Sequence, residues 1–503
     1  MRKLIFLFIT VSFAGYGQNI VETQNGKVEG YSNEDIHIFK GIPFAEPPVG
    51  ALRWKAPQPV QNWKGVKQTK EFGPSPIQNT PEPFLCWTEE FIAKPEPLSE
   101  DCLYLNIWTP AKAHDEKLPV FVWIYGGGLS SGSANCDIYD GQQMAEQGVV
   151  FVSLNYRVGV LGFMAHPELS EESGHGASGN YGFMDQLEGL KWIQKNIAAF
   201  GGDPNNVTIA GQSAGSFSVN AQIASPLASG YFNKAICQSG GILGGRLMQD
   251  LATAEEQGVK FMESVNATSI DELRAMPAAQ LQELSINNNL GRFRVVLDDY
   301  FLPKDLFEHF KTGKQNQVEV LTGWVTGDAN LLPMGEVTQE SFTSMANERF
   351  GANSDEFLKM FPAGNNEEAL QSQQKMNLLS FAGLPSYLLG TYMDRNVWLY
   401  EFTHVPTDKP GFPNYGAFHT SEVPFALHTL DQWDRSWQTE ERKLEDQMSA
   451  YWINFVKTGN PNGEGLPQWS SYNQDEGKLL IFETGELKSS SKYLEEFWFL
   501  TQN

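Results

Sequence analysis

Acidic side chains outnumber basic ones 60 to 36 over 503 residues, a net charge of −24 that no basic cluster offsets locally, so a nucleic-acid partner is not expected. Apolar residues make up 41% of the chain, with 13 Trp and 33 Phe, enough for a large buried core, and the one sustained apolar run is too short to cross a membrane. No stable membrane insertion is therefore expected. No Pro/Gly/Ser-rich linker, repeat or charge block divides residues 18–503, which read as one domain.

In chain order, Met1-Arg2-Lys3, the apolar run Leu4 to Phe13 and the small-residue stretch Ala14-Gly15-Tyr16-Gly17 form the three parts of a signal peptide over 1–17. A secreted or periplasmic location follows as the expectation. The four cysteines, Cys86, Cys102, Cys136 and Cys237, lack the close pairing of zinc and redox motifs, so no metal is expected. Cys237 sits in the apolar run Ala235-Ile236-Cys237 and reads as a buried strand residue.

Apolar runs predict buried strands at Val120 to Ile124, Val149 to Leu154, Val207 to Ala210, Ala235 to Cys237, Val318 to Leu321 and Val397 to Phe402. Leu187, Leu190, Ile193 and Ile197 recur on one face and predict a helix from Asp185 to Ala199, stopped by Gly201-Gly202-Asp203-Pro204. Strands alternating with helices through connections too long for hairpins give an α/β class: a large, mostly parallel central sheet flanked by helices. The first hundred residues and the stretch from Asp250 to Phe310 are less regular. They are assigned to edge strands and to helices over the site.

The run Val207-Thr208-Ile209-Ala210-Gly211-Gln212-Ser213-Ala214-Gly215 reads as a strand, a Gly-x-Ser-x-Gly turn and a helix start. Glycines on both sides let the chain double back and expose the Ser213 hydroxyl, while the new helix aims free N–H groups at the same spot. A serine hydroxyl needs a base, and histidine suits the task. Downstream of Ser213 stand His309, His404, His419 and His428; His419, in the loop Tyr415-Gly416-Ala417-Phe418-His419, is the candidate. Asp328, in the loop beyond the strand ending at Leu321, is the acid that would hold the imidazole, with Asp299 and Glu336 as alternatives.

These segments, together with Gly179-Asn180-Tyr181-Gly182-Phe183-Met184-Asp185-Gln186, Glu100-Asp101-Cys102-Leu103-Tyr104-Leu105-Asn106-Ile107, Val122-Trp123-Ile124-Tyr125-Gly126-Gly127-Gly128 and Gly416-Ala417-Phe418-His419-Thr420-Ser421-Glu422, resemble the type-B carboxylesterase/lipase family. The resemblance implies an α/β-hydrolase fold and a cofactor-free serine carboxylic-ester hydrolase acting on a small-molecule ester through an acyl-serine intermediate. It implies a catalytic Ser213, His419 and Asp328, and an oxyanion hole from the N–H groups of Gly127, Gly128 and Ala214. A disulfide is implied at Cys102, with Cys86 as the expected partner. Glu422 is expected to brace the histidine loop with Ser239. Trp87 reads as core or pocket wall, and Gln212 stands where the family usually has Glu. Two other readings are an inactive binding or adhesion protein, and a hydrolase of carbamates, amides or lipid esters. Oligomeric state is not legible.

Overall fold

The computed structural model describes residues 19–244, 248–287, 292–331 and 334–502. The expected signal peptide lies outside them. Eleven strands form the central sheet: β1 (Tyr31–Asn33), β2 (Ile36–Pro43), β3 (Tyr104–Thr109), β4 (Leu118–Ile124), β5 (Val150–Leu154), β6 (Gly202–Gln212), β7 (Lys234–Gln238), β8 (Glu319–Val325), β9 (Val397–Phe402), β10 (Lys478–Phe482) and β11 (Lys488–Ser491). Their spatial order is β11-β10-β9-β8-β7-β6-β4-β5-β3-β2-β1. From β5 through β4 and β6 to β10 every neighbouring pair is parallel; the pairs at both edges are antiparallel. This is the α/β-hydrolase arrangement.

The apolar runs are strands because both faces of the sheet are covered. Val120 through Ile124, Val150 through Val152 and Leu154 are fully buried, so no position along them has to be polar for solvent's sake. Helix α1 (Tyr181–Asn196), helix α2 (Ala214–Ala224) and helix α3 (Thr439–Thr458) pack on the sheet. Cys237 lies in β7 with no exposure. Behind β9, Tyr400, Trp452, Trp469 and Phe482 form a nest of edge-on and tilted rings with centroids 5.3 to 6.4 Å apart. Such edge-to-face contacts add to the stabilisation from burial alone.

Chain order explains where the site falls. After β4 the chain adds β5 on one side, then returns across β4 to lay β6 on the other. A crevice opens at such a reversal, outside the carboxyl ends of the strands. Gly126 to Gly128 follow β4 and Ser213 follows β6, so both stand at its rim. Helices Leu251–Ser264, Ile270–Ala275 and Ala278–Asn287 occupy the region where the sequence was irregular.

A buried ion pair ties α1 to the chain after β5. Arg157 grips Asp185 with two forked hydrogen bonds, Nε to Oδ2 at 2.8 Å and Nη2 to Oδ1 at 2.7 Å, and its backbone N–H donates to Oδ2 at 3.0 Å. Geometry this complete is what offsets the desolvation of two charges. Cys102 lies beside this pair, and burial pushes its thiol well above the ordinary range. The bond expected between Cys86 and Cys102 is not formed: all four cysteines are free. Cys86 is held elsewhere, inside a tight turn closed by reciprocal backbone hydrogen bonds between Phe84 and Trp87 at 3.0 Å each, and burial pushes its thiol up to about 12.

Candidate active site

Ser213 bridges β6 and α2 with φ +58° and ψ −124°, a conformation that costs a non-glycine residue about 1–3 kcal/mol. The turn closes this sharply because α2 sits directly on the sheet. A β-carbon on Gly215 would lie 2.1 Å from the Ile124 carbonyl oxygen, and one on Gly211 would lie 2.5 Å from the Gly215 carbonyl carbon. Neither glycine can be replaced without moving the helix. The turn is held from the side by the Ser213 N–H, which donates to the Gln238 carbonyl at 2.9 Å. Leu129, beside Gly128, Thr420, beside His419, and Ser239 also have positive φ, as do residues far from the site such as Glu34 and Asn266.

His419 and Asp328 come together from separate loops. The Asp328 Oδ1 lies 2.5 Å from His419 Nδ1, and both side chains are buried. Aspartate is shorter than glutamate, so the loops must approach closely. Gly327 allows it: its N–H donates to the Ala417 carbonyl at 2.8 Å, and a β-carbon there would meet that oxygen at 2.2 Å. The other Asp328 oxygen accepts the Val325 N–H at 3.1 Å, which fixes the carboxylate in plane. The alternative acids and histidines lie elsewhere. Asp299 is exposed and faces Lys304 at 3.9 Å, Glu336 is exposed, His404 bonds Glu441 at 3.1 Å, His428 bonds Asp446 at 3.1 Å, and His309 is buried within its own helix.

The far edge of the imidazole faces the residue before the serine. Gln212 Nε2 is 3.2 Å from His419 Nε2, and Gln212 Oε1 accepts from Thr420 Oγ1 at 3.3 Å, which in turn accepts from Trp87 Nε1 at 3.1 Å. An indole N–H can only donate. The Asp328 carboxylate oxygen at Nδ1 accepts the imidazole proton there, which leaves Nε2 bare to accept from the Gln212 amide. That is the tautomer a base needs. No hydrogen bond joins Ser213 Oγ to His419 in this arrangement; Gln212 occupies Nε2.

The amides of Gly127, Gly128 and Ala214 have no hydrogen-bond partner among the described residues. Gly127 and Gly128 are exposed to the crevice, and the Gly127 carbonyl is turned away to accept the Ser130 and Ser131 N–H groups at 3.2 and 3.0 Å. The Ala214 amide directly follows Ser213 at the start of α2, and the two glycine amides belong to the loop that follows β4.

Behind His419, Glu422 accepts from Ser239 Oγ at 3.2 Å. Burial and the neighbouring charge of Asp328 push the Glu422 carboxyl up to about 8. Its surroundings thus favour the uncharged acid beside the Asp328 carboxylate. Trp87, half-buried, stands edge-on to His419 with centroids 6.4 Å apart. Phe381 is a wall residue the sequence did not disclose, 5.7 Å from His419 on a π-turn at Leu379–Gly383. Such turns recur at functional sites, but no sequence period marks one. Among the described residues no group of three or more His, Cys, Asp or Glu is placed to hold a metal, and no helix is long and apolar enough to cross a membrane.

A serine with positive φ at the end of a central parallel strand, three amides without a partner among the described residues and a buried imidazole–carboxylate pair fit a hydrolase of the α/β-hydrolase fold. Comparison with known proteins narrows the class. The carboxylesterase family profile matches residues 17–498, and this chain belongs to that family; it is a carboxylesterase. It is 34% identical to the fumonisin B1 esterase of Sphingopyxis macrogoltabida over 483 residues, covering 92% of this chain and 85% of that protein. It is 32% identical to the para-nitrobenzyl esterase of Bacillus subtilis (strain 168), covering 92% and 95%. A solved PNB esterase superposes with a TM-score of 0.83 at 30% identity, covering 96% of this chain and 99% of that one.

Proposed function

We propose that the chain is an exported serine esterase that works through an acyl-serine intermediate, with Ser213, His419 and Asp328 as its triad. The observation that carries this is the pairing of the strained Ser213 backbone with a bare His419 Nε2 one residue away on the Gln212 side. When an ester enters, the Gln212 amide releases Nε2. The imidazole takes the Ser213 proton as Oγ bonds to the ester carbon. The carbonyl oxygen gains charge between the N–H groups of Gly127, Gly128 and Ala214. His419 then gives its proton to the departing alcohol, the C–O bond breaks, and the acyl group stays on Ser213. Water, deprotonated by the same nitrogen, releases the acid and restores the serine.

Asp328 keeps the proton on Nδ1 and stabilises the imidazolium formed at each attack. Glu422, neutral and braced by Ser239, holds the turn that carries His419 without adding a second charge. Relatives that carry esterase names support an ester rather than an amide as substrate. Export is supported by the basic start and apolar run at the N-terminus.

Rapid mixing with para-nitrophenyl butyrate tests the mechanism. A burst of nitrophenol equal to the enzyme concentration, with a butyryl group recovered on the Ser213 peptide, is expected. A linear release with no acyl adduct would exclude the intermediate. The Gln212 contact makes its own prediction. Gln212→Glu places a negative charge beside Nε2 and favours its protonated form, so the acid limb of kcat/KM is expected to move up by about one pH unit. An unchanged pH profile would show that residue 212 does not touch the working imidazole.

A further inference from the structure

The mouth of the crevice holds a cation that ester hydrolysis does not require. Arg292 follows the helix Ala278–Asn287, and its Nη1 lies 3.0 Å from the point that a β-carbon on Gly128 would occupy. The guanidinium therefore rests over one of the two glycines after β4, close enough that a side chain at Gly128 would crowd it. The segment is fixed from behind: the Arg292 carbonyl accepts from the Gln257 amide at 3.4 Å, and the next residue, Phe293, is buried edge-on against Phe261 with centroids 5.8 Å apart.

Arg292 is exposed, and no carboxylate or carbonyl among the described residues pairs with its side chain. Arg53, Arg157, Arg274 and Arg442, by contrast, are each committed to an ion pair. The side chains that touch the imidazole or its neighbours there, Trp87, Gln212, Phe381 and Phe217, are uncharged. Asp328 is engaged on the Nδ1 side of the imidazole, and burial favours the uncharged form of Glu422.

We propose that the crevice accepts esters carrying a free carboxylate within a few bonds of the scissile carbonyl, such as monoesters of dicarboxylic acids, and that Arg292 binds that carboxylate. A guanidinium presents a planar fork of donors that matches a carboxylate, and against apolar walls this contact is stronger than in open water. The proposal rests on the serine-esterase reading and specifies its substrate class.

Two matched pairs of substrates test it: mono-para-nitrophenyl glutarate against para-nitrophenyl pentanoate, and 4-carboxyphenyl butyrate against phenyl butyrate. The measured quantity is the ratio of kcat/KM, charged over neutral, for the wild type, Arg292→Lys, Arg292→Gln and Arg292→Glu, with melting curves to verify folding. In at least one pair the ratio is expected to fall about tenfold in Arg292→Gln and further in Arg292→Glu, to be largely kept in Arg292→Lys, and to decline with salt in the wild type. Ratios that stay within about twofold across all variants in both pairs overturn the proposal. Failure of the underlying reading has a separate signature, since turnover of either substrate would then survive in Ser213→Ala.

Discussion

Ser213→Ala is expected to lower kcat for ester hydrolysis on the order of 10⁶-fold while leaving the fold intact. Alanine keeps the β-carbon, so the φ of +58° is no more strained than before, and the contacts that set the turn are backbone contacts: the 2.9 Å bond to Gln238 and the close seat of Gly215 on Ile124. What is lost is the bond-forming oxygen itself. The residual rate is expected to exceed that in water by about 10³–10⁴, because the amides of Gly127, Gly128 and Ala214 still polarise a bound ester. Steady-state rates beside a circular-dichroism melt check it, and turnover within tenfold of the wild type would place the nucleophile elsewhere.

Asp328→Asn is expected to reduce kcat by about 10⁴. Its effect passes through a proton position. The carboxylate at 2.5 Å accepts the Nδ1 proton, whereas an asparagine amide can turn its own N–H toward Nδ1 and drive the proton to Nε2. Nε2 then cannot take the serine proton, and its new N–H also faces the donating Gln212 amide. Relief would require the Gln212 amide to turn its oxygen toward Nε2 and its N–H toward Thr420 Oγ1. Imidazole nitrogen shifts by NMR read the tautomer directly, and kcat reads its consequence. A normal rate with the proton still on Nδ1 would remove Asp328 from the machinery.

The sheet was legible where its strands are buried on both faces. Val397–Phe402 falls where the apolar run places it, and β4, β5 and β7 differ from the expected spans by a residue or two at their ends. The run at Val207 to Ala210 is the inner part of a strand that begins at Gly202, because Asp203 to Asn206 enter the sheet with a shift of register that no hydrophobic pattern records. Helix α1 starts at Tyr181, four residues before the expected Asp185, since its first turn packs against the chain around Arg157 and Phe163 rather than following the apolar stripe. β1 pairs with β2, and β2 pairs with β3, some 60 residues onward, a register set by tertiary contact rather than local sequence.

At the site, Ser213, the glycines after β4 and the histidine loop were readable because each needs a particular residue at a particular turn. Gly327 before Asp328 was the available clue that a short acid could reach His419. Phe381 and Arg292 were not readable: each is an ordinary residue in its own segment and acquires meaning only from the segment it is folded against. The free Cys86 and Cys102 show the limit of a resemblance, since both are buried without the bond it implied.

The most direct test of the central claim is stoichiometric labelling with a fluorophosphonate, read by mass spectrometry of the digested protein. One phosphonyl group per chain on the peptide containing Ser213, formed with full loss of esterase activity and abolished when His419 is replaced by glutamine, is the predicted result. Inactivation without label on Ser213, or an active enzyme that resists the reagent, would contradict it.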